Sequence, residues 1–270
     1  MKRVFDCWPE IAARVRAAGS VALFLDFDGT LAPIRETPEE VRLTQPVRRA
    51  VARLAGHRRV RVWVISGRKL ADVRSKTGVS GVRYLGLHGW EGRAGTGLQQ
   101  ETQRALDRAK RMLENQVKKL PGIWIEDKGS AFAVHYRCAG ETEASVARHE
   151  IYEVAEHLNG GFRLLSGKKV WEILPREVGD KGSAVRRELT RFEPSALPIY
   201  IGDDLTDERA FLALPDGLTI RVGSHSLTRA RFQLRDPGEV YCFLEKLEEE
   251  LSAVAKPRPL RALPARNYLR

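Results

Sequence analysis

The stretch SVALFLDFDGT, residues 20–30, contains the pattern that decides the fold. It is a short apolar run that ends in two acids, Asp26 and Asp28, and it predicts a buried strand over residues 20–28 with both acids at its carboxyl end. In an extended backbone, residues two apart share a face, so both carboxyl groups can point into one site. Gly29 allows the chain to turn sharply directly after them.

Strand and helix patterns alternate on either side of a long central segment. Before that segment, the sequence predicts a helix over 46–56 and strands over 60–66 and 84–87. After it, the sequence predicts helices over 181–191, 205–212 and 237–255 and strands over 197–203 and 218–223. Such alternation indicates right-handed βαβ units and a parallel sheet. Sites in these sheets lie at the carboxyl ends of the strands.

The central segment has a different order of predicted elements. A long helix over 98–119 precedes a hairpin that turns at Lys128-Gly129, and a helix over 141–158 precedes a second hairpin, GFRLLSGKKVWEILP. This pattern predicts a small antiparallel α+β domain inserted into an α/β core. We therefore expect four parts: core over 1–96, the inserted α+β domain over 97–174, core over 175–255 and a loose tail over 256–270.

Composition limits the classes of protein without selecting one. The net charge of +11 fits either non-specific nucleic-acid binding or a solvated basic surface, and the absence of an aromatic-interleaved basic stripe favours the surface. No apolar run approaches the ~18 residues of a membrane span. Cys7, Cys138 and Cys242 are too few and too far apart for a disulfide framework or a zinc site. We expect a cytoplasmic protein.

Four polar groups follow the predicted strands of the core. Asp26 and Asp28 come first, Ser66 ends the second strand, Lys181 opens a helix, and Asp203 and Asp204 follow the strand LPIYIG, with Asp207 three positions further on. Each has an ordinary explanation alone, as a turn, a helix cap or a solvated helix residue. Their joint order after apolar strands is much harder to explain by capping.

These residue types suit transfer of a phosphoryl group. A carboxylate can attack a phosphomonoester dianion only if a cation cancels charge, and oxygen-rich acidic clusters suit Mg²⁺. Asp26, Asp203 and the main-chain carbonyl of Asp28 can bind that metal. Ser66 and Lys181 can hold the phosphoryl oxygens. Asp28 can donate a proton to the leaving oxygen and later help to activate water.

The set DFDGT, strand-end Ser, Lys and GDDxxD resembles the haloacid dehalogenase superfamily of phosphatases. The resemblance implies a Rossmann-like core with an α+β cap, Asp26 as nucleophile, Asp28 as acid and base, Ser66 and Lys181 as phosphate-binding residues, and Asp203 as a metal ligand. It implies supporting roles for Asp204 and Asp207, with Asp207 orienting Lys181 or a metal-bound water.

A finer resemblance is to trehalose-6-phosphate phosphatases. It rests on LFLDFDGTLAPI, VWVISGR, GLHGWEGR, AVHYR, GKKVWEILP, DKGSAV and YIGDDLTDE, which cover both core and cap. One small departure is Asp180 before Lys181, where relatives often carry other polar residues. The resemblance implies hydrolysis of trehalose 6-phosphate with Mg²⁺.

Charged residues of the cap are candidates for binding the sugar, since charged groups make the stronger hydrogen bonds to hydroxyls. Spacing alone fits exposed cross-strand ion pairs slightly better. The resemblance favours sugar binding, for Lys168 and Glu172 above the others. His88 is either structural or a sugar contact. The cap candidates are Glu126, Lys128, Arg137, Lys168 and Glu172.

Three rivals to this function stay open. One is a phosphatase of another sugar phosphate, of the sucrose phosphate or mannosylglycerate phosphate type, because the core reads only the phosphoryl group. The second is a non-catalytic regulatory protein on the same fold, which the presence of Asp26 and Asp28 disfavours. The third is a nucleic-acid binder. We expect a monomer whose partner is a small sugar phosphate, with neither nucleic acid nor membrane.

Overall fold

The computed structural model describes residues 1–92, 97–158, 160–167, 169–193, 195–224 and 227–255. In these ranges the strands are β1 Lys2–Arg3, β2 Val21–Leu25, β3 Val60–Ile65, β4 Arg83–Leu85, β5 Trp124–Asp127, β6 Phe132–His135, β7 Phe162–Gly167, β8 Val170–Pro175, β9 Leu197–Gly202, β10 Leu218–Val222 and β11 Phe232–Leu234. The α-helices are α1 Trp8–Ala17, α2 Gln45–Gly56, α3 Leu70–Thr77, α4 Gln100–Val117, α5 Glu141–His157, α6 Lys181–Leu189, α7 Glu208–Leu212 and α8 Pro237–Ala255. Short 3₁₀ turns lie at Pro38–Glu40, Leu87–Gly89 and Leu205–Asp207.

The core is a seven-stranded parallel sheet with helices on both faces. Its strand order is β1-β11-β10-β9-β2-β3-β4. Successive side chains of β2 point to opposite faces, as the pleat of a strand requires. Leu23 therefore packs into the layer formed with α1, α2 and α8, and Phe24 packs into the layer formed with α6 and α7. Both faces of the sheet are thus buried, which explains the unbroken apolar runs.

The cap is a four-stranded antiparallel sheet of order β5-β6-β8-β7. Helices α4 and α5 cover one of its faces through Leu113, Ile151, Phe132 and Trp171 among others. The opposite face carries Glu126 and Glu172 and turns towards the core. The cap therefore presents a polar face to the carboxyl edge of the parallel sheet.

These observations confirm the predicted α/β core with a separate antiparallel α+β unit. The structure adds the short strands β1, at one edge of the sheet, and β11, next to it, which the sequence pattern did not predict. It also divides the predicted helix over 205–212 into a 3₁₀ turn and α7. The exact domain boundaries stay a prediction. In the part of the chain that the structure describes, no helix is both long enough and apolar enough to cross a membrane.

Candidate active site

The carboxyl ends of three neighbouring strands bring the predicted core residues together. Strand β2 lies between β9 and β3, and Asp26, Asp203 and Ser66 follow directly on these strands. The Asp26 amide donates to the Ile201 carbonyl of β9 at 2.9 Å, so the alignment of the strands continues into the site. Parallel strands end on the same edge of a sheet, which is why residues far apart in sequence converge here.

Lys181 stands at the first turn of α6 and is almost fully buried. Asp180 caps this helix: its carboxylate accepts from the Ser183 amide at 2.7 Å in a capping box. Lys181 Nζ donates to Asp26 Oδ1 and to Asp207 Oδ1, both at 2.7 Å. The N-terminal capping of helix α6 by Asp180 thus fixes the first turn, from which the ammonium group of Lys181 reaches Asp26.

Asp207 is fully buried and holds Lys181 from behind. Its Oδ1 also accepts from the Tyr200 hydroxyl at 2.7 Å, and its Oδ2 accepts from the Asp204 amide at 2.8 Å. Burial lowers the pKa of Lys181, but Asp207 and Asp26 outweigh this effect and raise it well above its ordinary value. The site therefore contains a fixed positive charge.

Gly29 and Thr30 fit closely around Asp203. Gly29 has φ +81°, and a Cβ built there would overlap the carboxylate of Asp203. Thr30 Oγ1 donates to Asp203 Oδ1 at 3.3 Å, and Arg221 Nη2 donates to the Asp203 carbonyl at 2.7 Å. The DFDGT turn and the GDD turn thus position each other.

The site contains an acidic cluster that could hold a metal ion. Carboxylate oxygens of Asp26, Asp203 and Asp207 lie within 4.8 Å of one another, and all three residues are buried. Burial raises the pKa of Asp26 well above its usual range, Lys181 opposes this, and Asp207 and Asp203 add to it. Three carboxyl groups share one ammonium here, and a bound cation would offset the repulsion between them. Because these ligands are oxygens, the cluster fits a hard divalent cation.

Asp28 is held by Arg68, a residue to which the sequence pattern assigned no role. Arg68 Nε and Nη2 donate to the two oxygens of Asp28 at 2.7 Å each, and Nη1 donates to Asp72 at 2.7 Å. Such bidentate geometry fixes a carboxylate in orientation as well as position. The signal in the sequence was the motif SGR: Ser66 Oγ accepts from the Arg68 amide at 3.1 Å, a turn that brings Arg68 back towards the site.

Two predicted cap residues link the cap to the core. Glu172 Oε2 lies 2.7 Å from His88 Nε2, and Glu172 Oε1 accepts from Lys128 Nζ at 2.9 Å. Lys128 Nζ also donates to the Gly67 carbonyl at 2.9 Å. Because Lys128 and Glu172 are buried, they are not the exposed cross-strand pair that spacing alone favoured. His88, in a positive-φ turn, is a contact between core and cap.

A cavity of about 470 Å³ lies between the two sheets. Its volume is in the range of small-molecule sites. Lys168 lies outside the described residues, and Asp207 stands behind the cavity wall. The predicted residues that line the cavity are Asp26, Asp28, Ser66, Lys181, Asp203 and Asp204 from the core, and Glu126, Lys128, Arg137 and Glu172 from the cap.

Comparison with known proteins shows which family the chain resembles. The family model described as trehalose-phosphatase matches residues 24–234. A trehalose-phosphate phosphatase of Mycobacterium tuberculosis is 35% identical over 261 residues, an alignment that covers 89% of this chain and 63% of that protein. The chain thus spans less than two thirds of the length of this relative.

Solved structures extend the comparison to the fold. A trehalose-6-phosphate phosphatase related protein has a TM-score of 0.71 and 29% identity, over 87% of this chain and 100% of that one. A haloacid dehalogenase-like hydrolase from Bacteroides thetaiotaomicron has a TM-score of 0.61 and 15% identity, over 84% and 98% respectively. The second likeness shows the fold alone, and it confirms the predicted haloacid dehalogenase core with a cap.

Proposed function

Since the chain belongs to the trehalose-phosphatase family, we propose that it hydrolyses trehalose 6-phosphate to trehalose and phosphate with Mg²⁺. The observation that carries this proposal is the contact of Lys181 with Asp26 inside a buried acidic cluster. That cluster faces a cavity whose opposite wall is the polar face of the cap sheet. One end of the cavity suits a phosphoryl group, and the other offers hydrogen-bonding groups to a sugar.

In the first step, an oxygen of Asp26 attacks phosphorus and forms an aspartyl-phosphate, while the sugar oxygen leaves. Lys181 provides positive charge where the transferring group carries negative charge. The Ser66 hydroxyl, whose oxygen already accepts from the Arg68 amide, can donate its proton to a phosphoryl oxygen. Asp207 and Tyr200 keep Lys181 in place during the step.

Asp28 acts as the proton donor and acceptor. It donates one to the leaving sugar oxygen and takes one from the water that hydrolyses the aspartyl-phosphate, which returns Asp26 to its starting form. Because Arg68 binds both oxygens of Asp28, proton donation requires at least one oxygen to leave the guanidinium. Arg68 therefore orients this carboxyl group between the two steps.

Asp26, Asp203 and the main-chain carbonyl of Asp28 would hold the Mg²⁺ ion, with Asp204 and Asp207 in support. When bound, the ion supplies charge neutralisation between the carboxylates and the phosphoryl group. The full bonding of Asp207 to Lys181, Tyr200 and Asp204 supports a positioning role for this acid rather than direct binding of metal.

The cap candidates Glu126, Lys128, Arg137, Lys168 and Glu172 would bind the sugar hydroxyls. In the structure, Lys128 and Glu172 bond to each other and to the core. Hydroxyl groups of a bound sugar can therefore insert into an existing polar network that already joins the two domains. Binding of the sugar would in this way stabilise the cap over the phosphate.

Phosphate release from a panel of sugar phosphates tests the function. The panel contains trehalose 6-phosphate, sucrose phosphate, mannosylglycerate phosphate and glucose 6-phosphate, each with EDTA and with Mg²⁺ restored. We expect the highest kcat/KM for trehalose 6-phosphate, no activity with EDTA, and none in Asp26→Asn, the control for contaminating phosphatases. A higher kcat/KM for another sugar phosphate would show that this compound, and not trehalose 6-phosphate, is the preferred substrate. Full activity in EDTA would exclude a requirement for Mg²⁺.

A further inference from the structure

The cavity face of the cap sheet is built from two parallel rows of side chains. Strand pairing places Glu126, Ala133, Glu172 and Leu165 in one row, and Trp124, His135, Val170 and Gly167 in the next. In the first row, Glu172 bonds to His88 of the core. The second row is mostly apolar and begins with an aromatic residue on β5, the edge strand of the sheet.

Trp124 and His135 form a stacked pair in this second row. Their ring centroids are 3.8 Å apart and their planes differ by 6°. His135 Nε2 lies 2.9 Å from Glu126 Oε2, so the imidazole is held in position from the first row. One face of the indole is therefore covered by a ring that is itself fixed.

Trp124 is only partly covered by its stacking partner His135. The residue is 39% exposed and lines the cavity together with His135 and Glu126. A cross-strand aromatic pair stabilises a hairpin, which explains the stacked face. It does not explain why a large apolar surface is left uncovered in a cavity otherwise rich in charged groups.

Trp124 lies at a distance from the phosphate-binding residues that suits the far end of a bound substrate. Lys128 contacts Gly67, the neighbour of Ser66, so the end of β5 lies beside the phosphate-binding part of the site. Trp124 begins β5, four residues before Lys128 in the chain, which is about 13 Å at 3.3 Å per residue of extended backbone. That distance is greater than the span of a single sugar ring.

We propose that Trp124, backed by His135, is the platform on which the second, unphosphorylated hexose ring of the substrate stacks. This inference rests on the proposed function. A pyranose ring has an apolar face of C–H groups and an edge of hydroxyls. The indole covers the apolar face, while Glu126 and Arg137, which line the same cavity, can bond to the hydroxyls. Trp124 is then a specificity-determining residue for a disaccharide over a monosaccharide phosphate.

Trp124→Ala and Trp124→Phe test the platform, with Tyr152→Ala as the matched control. Tyr152 is an exposed aromatic residue of the same domain, on α5, and it does not line the cavity. Steady-state kinetics are measured with trehalose 6-phosphate and with p-nitrophenyl phosphate, which lacks the second sugar ring. Glucose 6-phosphate is measured as a competitive inhibitor of p-nitrophenyl phosphate hydrolysis.

We expect Trp124→Ala to lower kcat/KM for trehalose 6-phosphate about tenfold, the scale of an aromatic stacking contact. In the same variant, hydrolysis of p-nitrophenyl phosphate and inhibition by glucose 6-phosphate should be unchanged. Trp124→Phe should retain most of the kcat/KM for trehalose 6-phosphate. Tyr152→Ala should have the kinetics of the unmodified protein. An unchanged kcat/KM in Trp124→Ala, or a parallel loss with both substrates, would overturn the platform and leave the proposed function standing. If the unmodified protein cleaves p-nitrophenyl phosphate but not trehalose 6-phosphate, the proposed function fails, and the platform for its second ring fails with it.

Discussion

Two carboxylates at the end of β2 divide the proposed chemistry between them. Asp26 contacts Lys181 inside the buried cluster, whereas Asp28 contacts Arg68 at the cavity wall. Asp26→Asn should abolish turnover because no aspartyl-phosphate can form. Asp28→Asn should slow turnover by about 10²–10⁴-fold, the usual effect of losing a proton-transfer group. Phosphate release by variants with unchanged circular dichroism measures both effects, and an equal residual rate in the two variants would contradict the division of roles.

Two glycines with nearly equal backbone angles offer a test of how tightly the site is built. Gly29 has φ +81° and Gly129 has φ +79°, but a Cβ would overlap Asp203 only at Gly29 and would meet nothing within 4 Å at Gly129. Both alanine variants should lose about 1 kcal/mol of stability from backbone strain. Gly29→Ala should in addition lose most activity, since Asp203 must move. Similar activity in the two variants would show that Asp203 does not need this position.

At the scale of elements, the buried pair between β8 and the end of β5 makes stability depend on pH. Burial raises the pKa of Glu172, but Lys128 and His88 outweigh it and hold the pKa well below its usual range. A depressed carboxyl pKa contributes stability that is present above the unfolded pKa, about 4.3, and is lost as the pH falls below it. Burial lowers the pKa of Lys128, but Glu172 and Glu126 raise it overall, so its contribution is lost only at alkaline pH.

Glu172→Gln should therefore lower the free energy of unfolding by about 3–5 kcal/mol at pH 7, because it leaves a buried ammonium without its counter-charge. The difference from the unmodified protein should shrink as the pH falls below about 4.3. Asp127→Asn, at the residue before Lys128, is the control. The exposed ion pair of Asp127 with Lys110 should contribute less than about 1 kcal/mol to stability. Urea unfolding at several pH values measures these energies, and a loss in Glu172→Gln that does not change with pH would contradict the assignment.

The elements that could be predicted from the sequence are those with long apolar runs or a long periodic pattern. The apolar runs of β2, β3, β9 and β10 and the periodic pattern of α2 and α4 predict their own positions. Strands β1 and β11, with two and three residues, are too short to leave a pattern. They form because β11 pairs with β10, and β1 pairs with β11 at the edge of the sheet. The register of the cap strands also leaves no local signal, so the contacts of Lys128 with Glu172 and of Trp124 with His135 were not predictable from spacing.

At the scale of the whole molecule, the net charge of +11 is distributed rather than focused. Arg3, Arg16 and Arg53 all pair with acids of α8, so basic and acidic groups are interspersed on that surface. We expect no retardation of duplex DNA near 0.15 M salt, where screening is strong, and only weak, salt-sensitive binding at low salt. A gel shift at the two salt concentrations measures this. Retention of DNA at the higher concentration would favour the nucleic-acid binder.

The covalent state of Asp26 during turnover tests the proposed mechanism most directly. The protein is mixed with Mg²⁺ and trehalose 6-phosphate that carries a radiolabelled phosphoryl group, quenched in acid within one turnover and digested. We predict a label on the peptide that contains Asp26, formed at least as fast as turnover and absent in Asp26→Asn, because in the proposed mechanism the carboxylate beside Lys181 attacks phosphorus. A label on another residue, or full turnover with no labelled peptide, would contradict the central claim.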